Sequence, residues 1–338
     1  MDRLEFSNRL LSTIIPEGTP PEDIPAMTRP VSEAICLMMP DSLFRFRTCS
    51  PDAVDAFEKS VIYAVTADRF NDPYDTLVRY DLEEIEKGVN VAMSVETLAQ
   101  LKSWLAQGND FPDIIKQFIP EEMMASYKKN LMMVDDFNTM EGYLQEIKHK
   151  LISSIETLFP VLSEASKKYS TVACFSESIK SILMWSHYAD SHKGFALEYN
   201  FRPTLEQPIT NVMIAPVLYQ DVRLDISSYI VWAFLLISGV RIKSPDISAY
   251  IKNALFKSSD WSYEKEWRLI DLTPRDFFDT SASAIPYKPE AIYYGRNMTL
   301  ENKRMLHEIA QKVGVREYEM YIDYSSPKYE MGWTDYSG

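Results

Sequence analysis

The chain has 338 residues and a mass of 39.1 kDa, enough for one large domain or two ordinary ones with a sizeable core. Thirty-five basic side chains against 49 acidic ones leave a net charge of −14, which argues against a dedicated nucleic-acid binder, since such proteins need a basic footprint on phosphates. A hydrophobic fraction of 46% excludes global disorder, and three cysteines (Cys36, Cys49, Cys174) are too few for a disulfide scaffold and lack zinc spacing.

The N-terminal stretch MDRLEFSNRLLSTIIPEG is charged and lacks a long apolar core, so no signal peptide is expected. The first forty residues read as a helical arm broken by Pro16, Pro20, Pro21, Pro25 and Pro30. Leu43 to Thr48 then alternates, with Phe44 and Phe46 toward a core and Arg45 and Arg47 on the other strand face. A second strand starts at Ser60, and Asn71-Asp72-Pro73 predicts a turn. From Leu82 to Lys168 the period becomes helical, through LEEIEKG, VETLAQLKSWLAQG, DIIKQFI, EEMMASYKKNLMMV and MEGYLQEIKHKLISSIETLF. Gly88, Gly108 and Pro120 stand where helices should stop.

The strand period returns at Thr171 to Phe175, followed by a short helix in ILMWSHYAD and strands beginning at Gly194 and Val212. Tyr229 to Val240 is the longest apolar run, well short of the roughly 20 residues that span a membrane, and reads as a buried helix. A helix around Ile247 to Lys257, a strand in WSYEKEWRLIDL, a strand at Ala291, an amphipathic helix in MTLENKRMLHEIAQKVG and a last strand at Tyr318 complete the chain. The predicted class is α+β, a mixed or mostly antiparallel sheet with flanking helices. The expected organisation is an arm over 1–40 and one domain over 41–338, with 82–168 as a large helical insertion. A cytoplasmic location with reduced thiols and no membrane association is expected.

Polar residues recur in the strand segments. Alternation in SYEKEWRL places Glu264, Glu266 and Arg268 on one face, opposite Tyr263, Lys265 and Trp267. With Arg45 and Arg47 these form either a wet sheet face with Arg–Glu pairs or a cleft in which arginines hold an anion and a carboxylate does chemistry. Ser176 or Ser178 caps the following helix or joins that cleft. His187 is a candidate general base, although a lone histidine is more often structural. His187 and His192 do not share a helical face, so no metal site is expected. Trp185 and Tyr188 belong to the core or stack on a planar ligand. Phosphate-loop, dinucleotide, nucleophile-elbow and zincin motifs are absent from the sequence.

The ordered set LFRFR, RFNDPYD, CFSES, MWSHYADSHKGFALEYNF, VLYQ and WSYEKEWRL resembles a prokaryotic family of unknown function numbered 2971. The resemblance runs from about Leu43 to Leu269, plus the later Tyr-Gly strand, with 82–168 as its variable part. Arg45 stands where that family's pattern has a lysine, which conserves charge but not geometry. A more distant similarity, an early Arg, a middle Ser and a late Glu-x-Glu, is to arginine–serine–glutamate ADP-ribosyltransferases. It implies NAD as substrate, with Arg45 or Arg47 on the pyrophosphate or ribose, Ser176 fixing the carboxylate, Glu266 facing the oxocarbenium-like centre and Glu264 activating the acceptor. Asn71, Asp72, Trp185, Tyr188 and Arg268 complete the candidate ligand-binding set, and a small nucleotide-like ligand is the expected partner. The competing expectation is a non-catalytic module that binds a nucleotide or a protein. A nuclease, the third reading, is disfavoured by the charge balance.

Overall fold

A computed structural model describes residues 1–111, 121–168, 170–240, 242, 244–273, 279 and 281–338. The DIIKQFI helix expected from sequence lies outside these residues. The protein is α+β, and its described residues build a ten-stranded, mostly antiparallel sheet ordered β12-β11-β10-β4-β1-β3-β2-β9, with β5 and β8 attached through β3.

The strands that position the site are β1 (Leu43–Arg47), β2 (Val61–Thr66), β3 (Thr171–Ser176), β4 (Phe195–Tyr199), β5 (Val212–Pro216) and β8 (Glu266–Asp271). Two-residue strands β6 (Leu218–Tyr219) and β7 (Phe256–Lys257) form a separate parallel pair. The remaining strands are β9 (Ser283–Pro286), β10 (Ala291–Tyr294), β11 (Arg316–Ile322) and β12 (Met331–Asp335). The sheet forks at β3. One edge of β3 pairs with β8 from Thr171 to Ser176, and the other meets β2 at Thr171 and Val172 and β1 at Ser176. Directly opposed residues in antiparallel pairs share a face. Phe44, Ser176 and Glu266 therefore point the same way, as do Cys174 and Arg268.

The larger core packs around Trp267, Leu269, Phe175, Phe195 and Phe201. A second cluster, with Phe44, Phe46, Trp185 and Tyr293, covers the other face. Both faces of the central strands are thus buried, and the alternation in LFRFR separates two cores rather than a core from water. The N-terminal helices Arg3–Ser12 and Ile24–Met38 contribute Phe6, Leu10, Val31 and Ala34 to the larger core. Pro25 falls in the first turn of its helix, where a missing N–H costs nothing. Pro30 sits inside that helix rather than breaking it.

Between Leu82 and Lys168 the described residues contain helices and no strand, over Leu82–Ala92, Val95–Ala106, Glu121–Met132 and Glu141–Ser166. They carry their own apolar cluster around Leu98, Leu101 and Phe137. Gly108 does end a helix, with φ +88°. Gly88 does not: it lies inside Leu82–Ala92, because a Cβ there would stand 2.6 Å from Val231 Cγ1 of the helix Ser227–Ile237.

Several local readings need correction. Pro51–Glu58 is a helix, signalled by the Ser50 cap and Pro51 at its start. The sequence reading also missed β9 and β12. The helix expected over Ile247 to Lys257 shortens to Ala249–Asn253 and gives way to β7. WSYEKEWRLIDL is a strand only from Glu266, and Ser259–Glu264 is a 3₁₀ helix. The apolar helix Ser227–Ile237 is only partly buried, with Ile230 and Trp232 half-covered and Ala233 exposed. No helix among the described residues is long and apolar enough to cross a membrane.

Candidate functional site

The centre of the site is Arg268, on β8 and fully buried. Its Nη1 and Nη2 donate to Asp75 Oδ1 and Oδ2 at 2.8 and 2.5 Å, and its Nε donates to Glu266 Oε1 at 2.8 Å. Nη1 also donates to the Ala254 carbonyl at 2.7 Å. Such bidentate geometry is the strong form of the guanidinium–carboxylate pair, and a buried charge demands it.

Lys257, on β7, extends the network. Its Nζ lies 3.0 Å from Glu266 Oε2 and 2.7 Å from Glu264 Oε2, and 4.8 Å from the centre of the Trp261 ring. Glu264 Oε1 accepts from the Tyr188 hydroxyl at 2.5 Å, and that hydroxyl accepts from the exposed Asn71 Nδ2 at 3.2 Å. A continuous path therefore runs from buried Asp75 and Arg268 through Glu266, Lys257 and Glu264 to Tyr188 and Asn71 at the surface. Beside it the exposed His187 pairs Nδ1 with the Tyr263 hydroxyl at 3.1 Å.

Two turns hold this arrangement. Asp72 Oδ1 accepts from Tyr74 N at 2.9 Å, folding a tight turn that sends Asn71 toward Tyr188 and Asp75 toward Arg268. Lys265 takes the left-handed conformation, φ 45° and ψ 50°, at the junction of the 3₁₀ helix and β8. That conformation costs a non-glycine residue roughly 1–2 kcal/mol. It brings Glu264 and Glu266 onto one ammonium although strand alternation is interrupted between them.

The two glutamates have opposite proton affinities. Burial alone would raise Glu266, but the Arg268 and Lys257 cations outweigh it and hold its carboxyl well below the ordinary 4.5. For Glu264, burial and the neighbouring Glu266 charge prevail over Lys257, and its carboxyl is raised. Burial and the bond to Glu264 push the Tyr188 phenol up. Burial would lower Lys257, yet Glu266 and Glu264 keep it firmly protonated.

Of the residues named from sequence, Glu264, Glu266, Arg268, Tyr188 and Asn71 meet in this network, with His187 at its rim. Ser176 touches it differently from the expectation: its Oγ donates to the Glu264 backbone carbonyl at 2.6 Å, not to a carboxylate. The cap of the helix Ile182–Tyr188 is Ser181, whose Oγ accepts from Met184 N, so neither Ser176 nor Ser178 caps it. Asp72 is a turn-former with its Oδ2 buried and without a hydrogen-bond partner among the described residues. Trp185 is a core residue, fully buried, bonded to the Ile179 carbonyl and set edge-on to Phe46.

Arg45 and Arg47 are not in the network. By alternation they occupy the sheet face opposite Phe44, Ser176 and Glu266. Arg45 donates to the Tyr63 carbonyl at 2.7 Å and lies 5.8 Å from the Phe175 ring centre. Burial and the charge of Arg47 lower it to about 10. Glu198, on β4, forms a separate buried group with Tyr293 and Ser42.

Sequence reasoning missed Asp75 and Lys257. Asp75 sits in the same Asn-Asp-Pro-Tyr-Asp run that supplied Asn71, and that run was its signal. Lys257 lies in a two-residue strand with no pattern of its own. Among the described residues no group of three His, Cys, Asp or Glu side chains is placed to hold a metal ion.

The fold and site define an α+β protein with a buried carboxylate–cation network that reaches the surface through a tyrosine. Residues 184–269 match the model of a family described as protein of unknown function, DUF2971. That span includes Tyr188, Lys257, Glu264, Glu266 and Arg268, and leaves out Asn71 and Asp75. Neither the curated proteins nor the solved structures yield a match.

Proposed function

We propose that the chain is an enzyme of the ADP-ribosyl-transfer class, acting on NAD or a related dinucleotide at the surface formed by Asn71, Tyr188, His187 and Tyr263. The observation that carries this reading is the carboxylate pair on Lys257, one member held ionised and the other raised. Environments that separate two carboxyl groups in this way define an acid–base group and a fixed charge. Glu264 is the member bonded to the surface-reaching Tyr188. It accepts the acceptor's proton as the acceptor's lone pair bonds to the ribose C1′, the nicotinamide–ribose C–N bond breaks and nicotinamide leaves with the bonding electrons of that bond. Glu266, held in the interior by Arg268 and Lys257, is a positioning residue that fixes Lys257 and through it Glu264.

A second reading is favoured by two facts: Arg45 and Arg47 lie across the sheet, and Glu266 is saturated by its partners. On this reading the cluster is a rigid floor for a non-catalytic binding surface. Purified protein incubated with NAD separates the two. Nicotinamide release that falls at least about a hundredfold in Glu264→Gln, with the circular dichroism of the wild type retained, is the expected result. NAD binding without release favours the binding module. Absence of both ends the transferase reading.

A further inference from the structure

A second site lies away from this network. A half-open cavity of about 590 Å³ lies between the helices Glu141–Ser166, Ser227–Ile237 and Ala249–Asn253, with the half-exposed Tyr250 in its lining. Its volume falls in the range of small-molecule sites, ~300–1,000 Å³. Its walls are mostly apolar and divide by character. Trp232, Phe234 and Leu236 belong to the largely apolar helix Ser227–Ile237, whereas Thr76, Ser163, Ser166 and Lys167 supply polar groups.

One hydroxyl in the wall, Thr76 Oγ1, is buried without a hydrogen-bond partner among the described residues. Buried polar atoms are ordinarily paired, because desolvation without a bond is costly. Thr76 is only 7% exposed and holds φ 57°, an unusual conformation for a β-branched residue. Its carbonyl accepts from Asn253 Nδ2, which secures that backbone. Lys167 is the one charged side chain among the described lining residues. Its Nζ donates to the Pro73 carbonyl at 2.7 Å and lies 3.1 Å from the exposed Glu164 carboxylate.

We propose that this cavity binds a long-chain monocarboxylate, a free fatty acid, with its carboxylate at Thr76 and Lys167 and its tail along the helix Ser227–Ile237. The unpaired Thr76 hydroxyl supplies a donor for the head group and Lys167 supplies the charge. The helix supplies a wall that neither closes into the core nor faces water fully. At roughly 30 Å³ per water-sized group the cavity holds about twenty such groups, the size of a long acyl chain with its head.

The test uses hexadecanoate, hexadecylamine and hexadecanol on the full chain, read by calorimetry. Hexadecanoate is expected to saturate a single site, with the amine and the alcohol each at least tenfold weaker. A dibrominated analogue of the acid should quench tryptophan fluorescence in the wild type and much less in Trp232→Phe. Ala233→Trp adds bulk at an exposed wall position, so it should keep the thermal midpoint while weakening hexadecanoate at least tenfold. No saturable binding, equal affinity for the amine or alcohol, or an Ala233→Trp protein that binds like wild type would each overturn the proposal.

Discussion

Arg268 grips Asp75 through two parallel hydrogen bonds across a sequence separation of 193 residues, at 2.8 and 2.5 Å, with both side chains sealed from water. The Asn-Asp-Pro-Tyr-Asp turn is thereby locked to the strand that carries Glu266, and the position of Asn71 at the surface depends on a charge pair in the interior. Asp75→Asn should cost about 3–5 kcal/mol, because it leaves Arg268 buried with one carboxylate instead of two. Asp72→Asn should cost much less, since an asparagine side-chain oxygen can accept the same turn hydrogen bond. Urea denaturation of the two variants checks the contrast, and equal losses would mean that the turn rather than the ion pair holds this segment.

The Tyr188 hydroxyl is bonded on both sides, to Glu264 and to Asn71. Tyr188→Phe removes a bond to a charged group and should cost about 1.5–3 kcal/mol. It should also raise the Glu264 carboxyl further, because the phenol's hydrogen bond favours the ionised form. If nicotinamide release occurs, its acid limb should move to higher pH in this variant. An unchanged limb would detach Tyr188 from the acid–base group.

The two glutamates predict opposite dependences of stability on pH. Glu266 is depressed in the folded state, so its contribution is present above its ordinary 4.5 and is lost only as pH falls far below that value. Glu264 is raised, so between 4.5 and its higher folded value the native state holds more protons than the unfolded chain. Stability from this group therefore falls as pH rises through that window. Glu264→Gln cannot titrate, so its stability relative to wild type should improve as pH rises from 4.5 through the raised folded value and level off above it. Denaturation midpoints at several pH values measure the slope, and a difference independent of pH would show that Glu264 titrates alike in both states.

Gly88→Ala ordinarily favours a helix by roughly 1 kcal/mol. Here the added methyl meets Val231 at 2.6 Å, and overpacking should instead cost about 1–3 kcal/mol. Val231→Ala in the same protein should recover most of the loss. A stabilised Gly88→Ala would mean that the helices Leu82–Ala92 and Ser227–Ile237 separate easily.

By itself the sequence determined the α+β class, the order of most elements and five members of the charge network. Those are local properties. Periodicity reports which faces are apolar, and polar residues inside strand patterns stand out against that background. Tertiary structure decided which face each charge occupies. Arg45 and Arg268 both alternate with apolar neighbours, yet they point to opposite sides of the sheet, because strand pairing through Phe44, Ser176 and Glu266 sets one face for the whole group. Alternation within a strand is relative, and only register makes it absolute. Asp75 and Lys257 lacked any periodic signal, and their roles arise from a turn and a two-residue strand whose positions depend on distant packing. The left-handed Lys265 belongs to the same category: no pattern in Tyr-Glu-Lys-Glu-Trp announces it, and it stands between the two glutamates that share one ammonium.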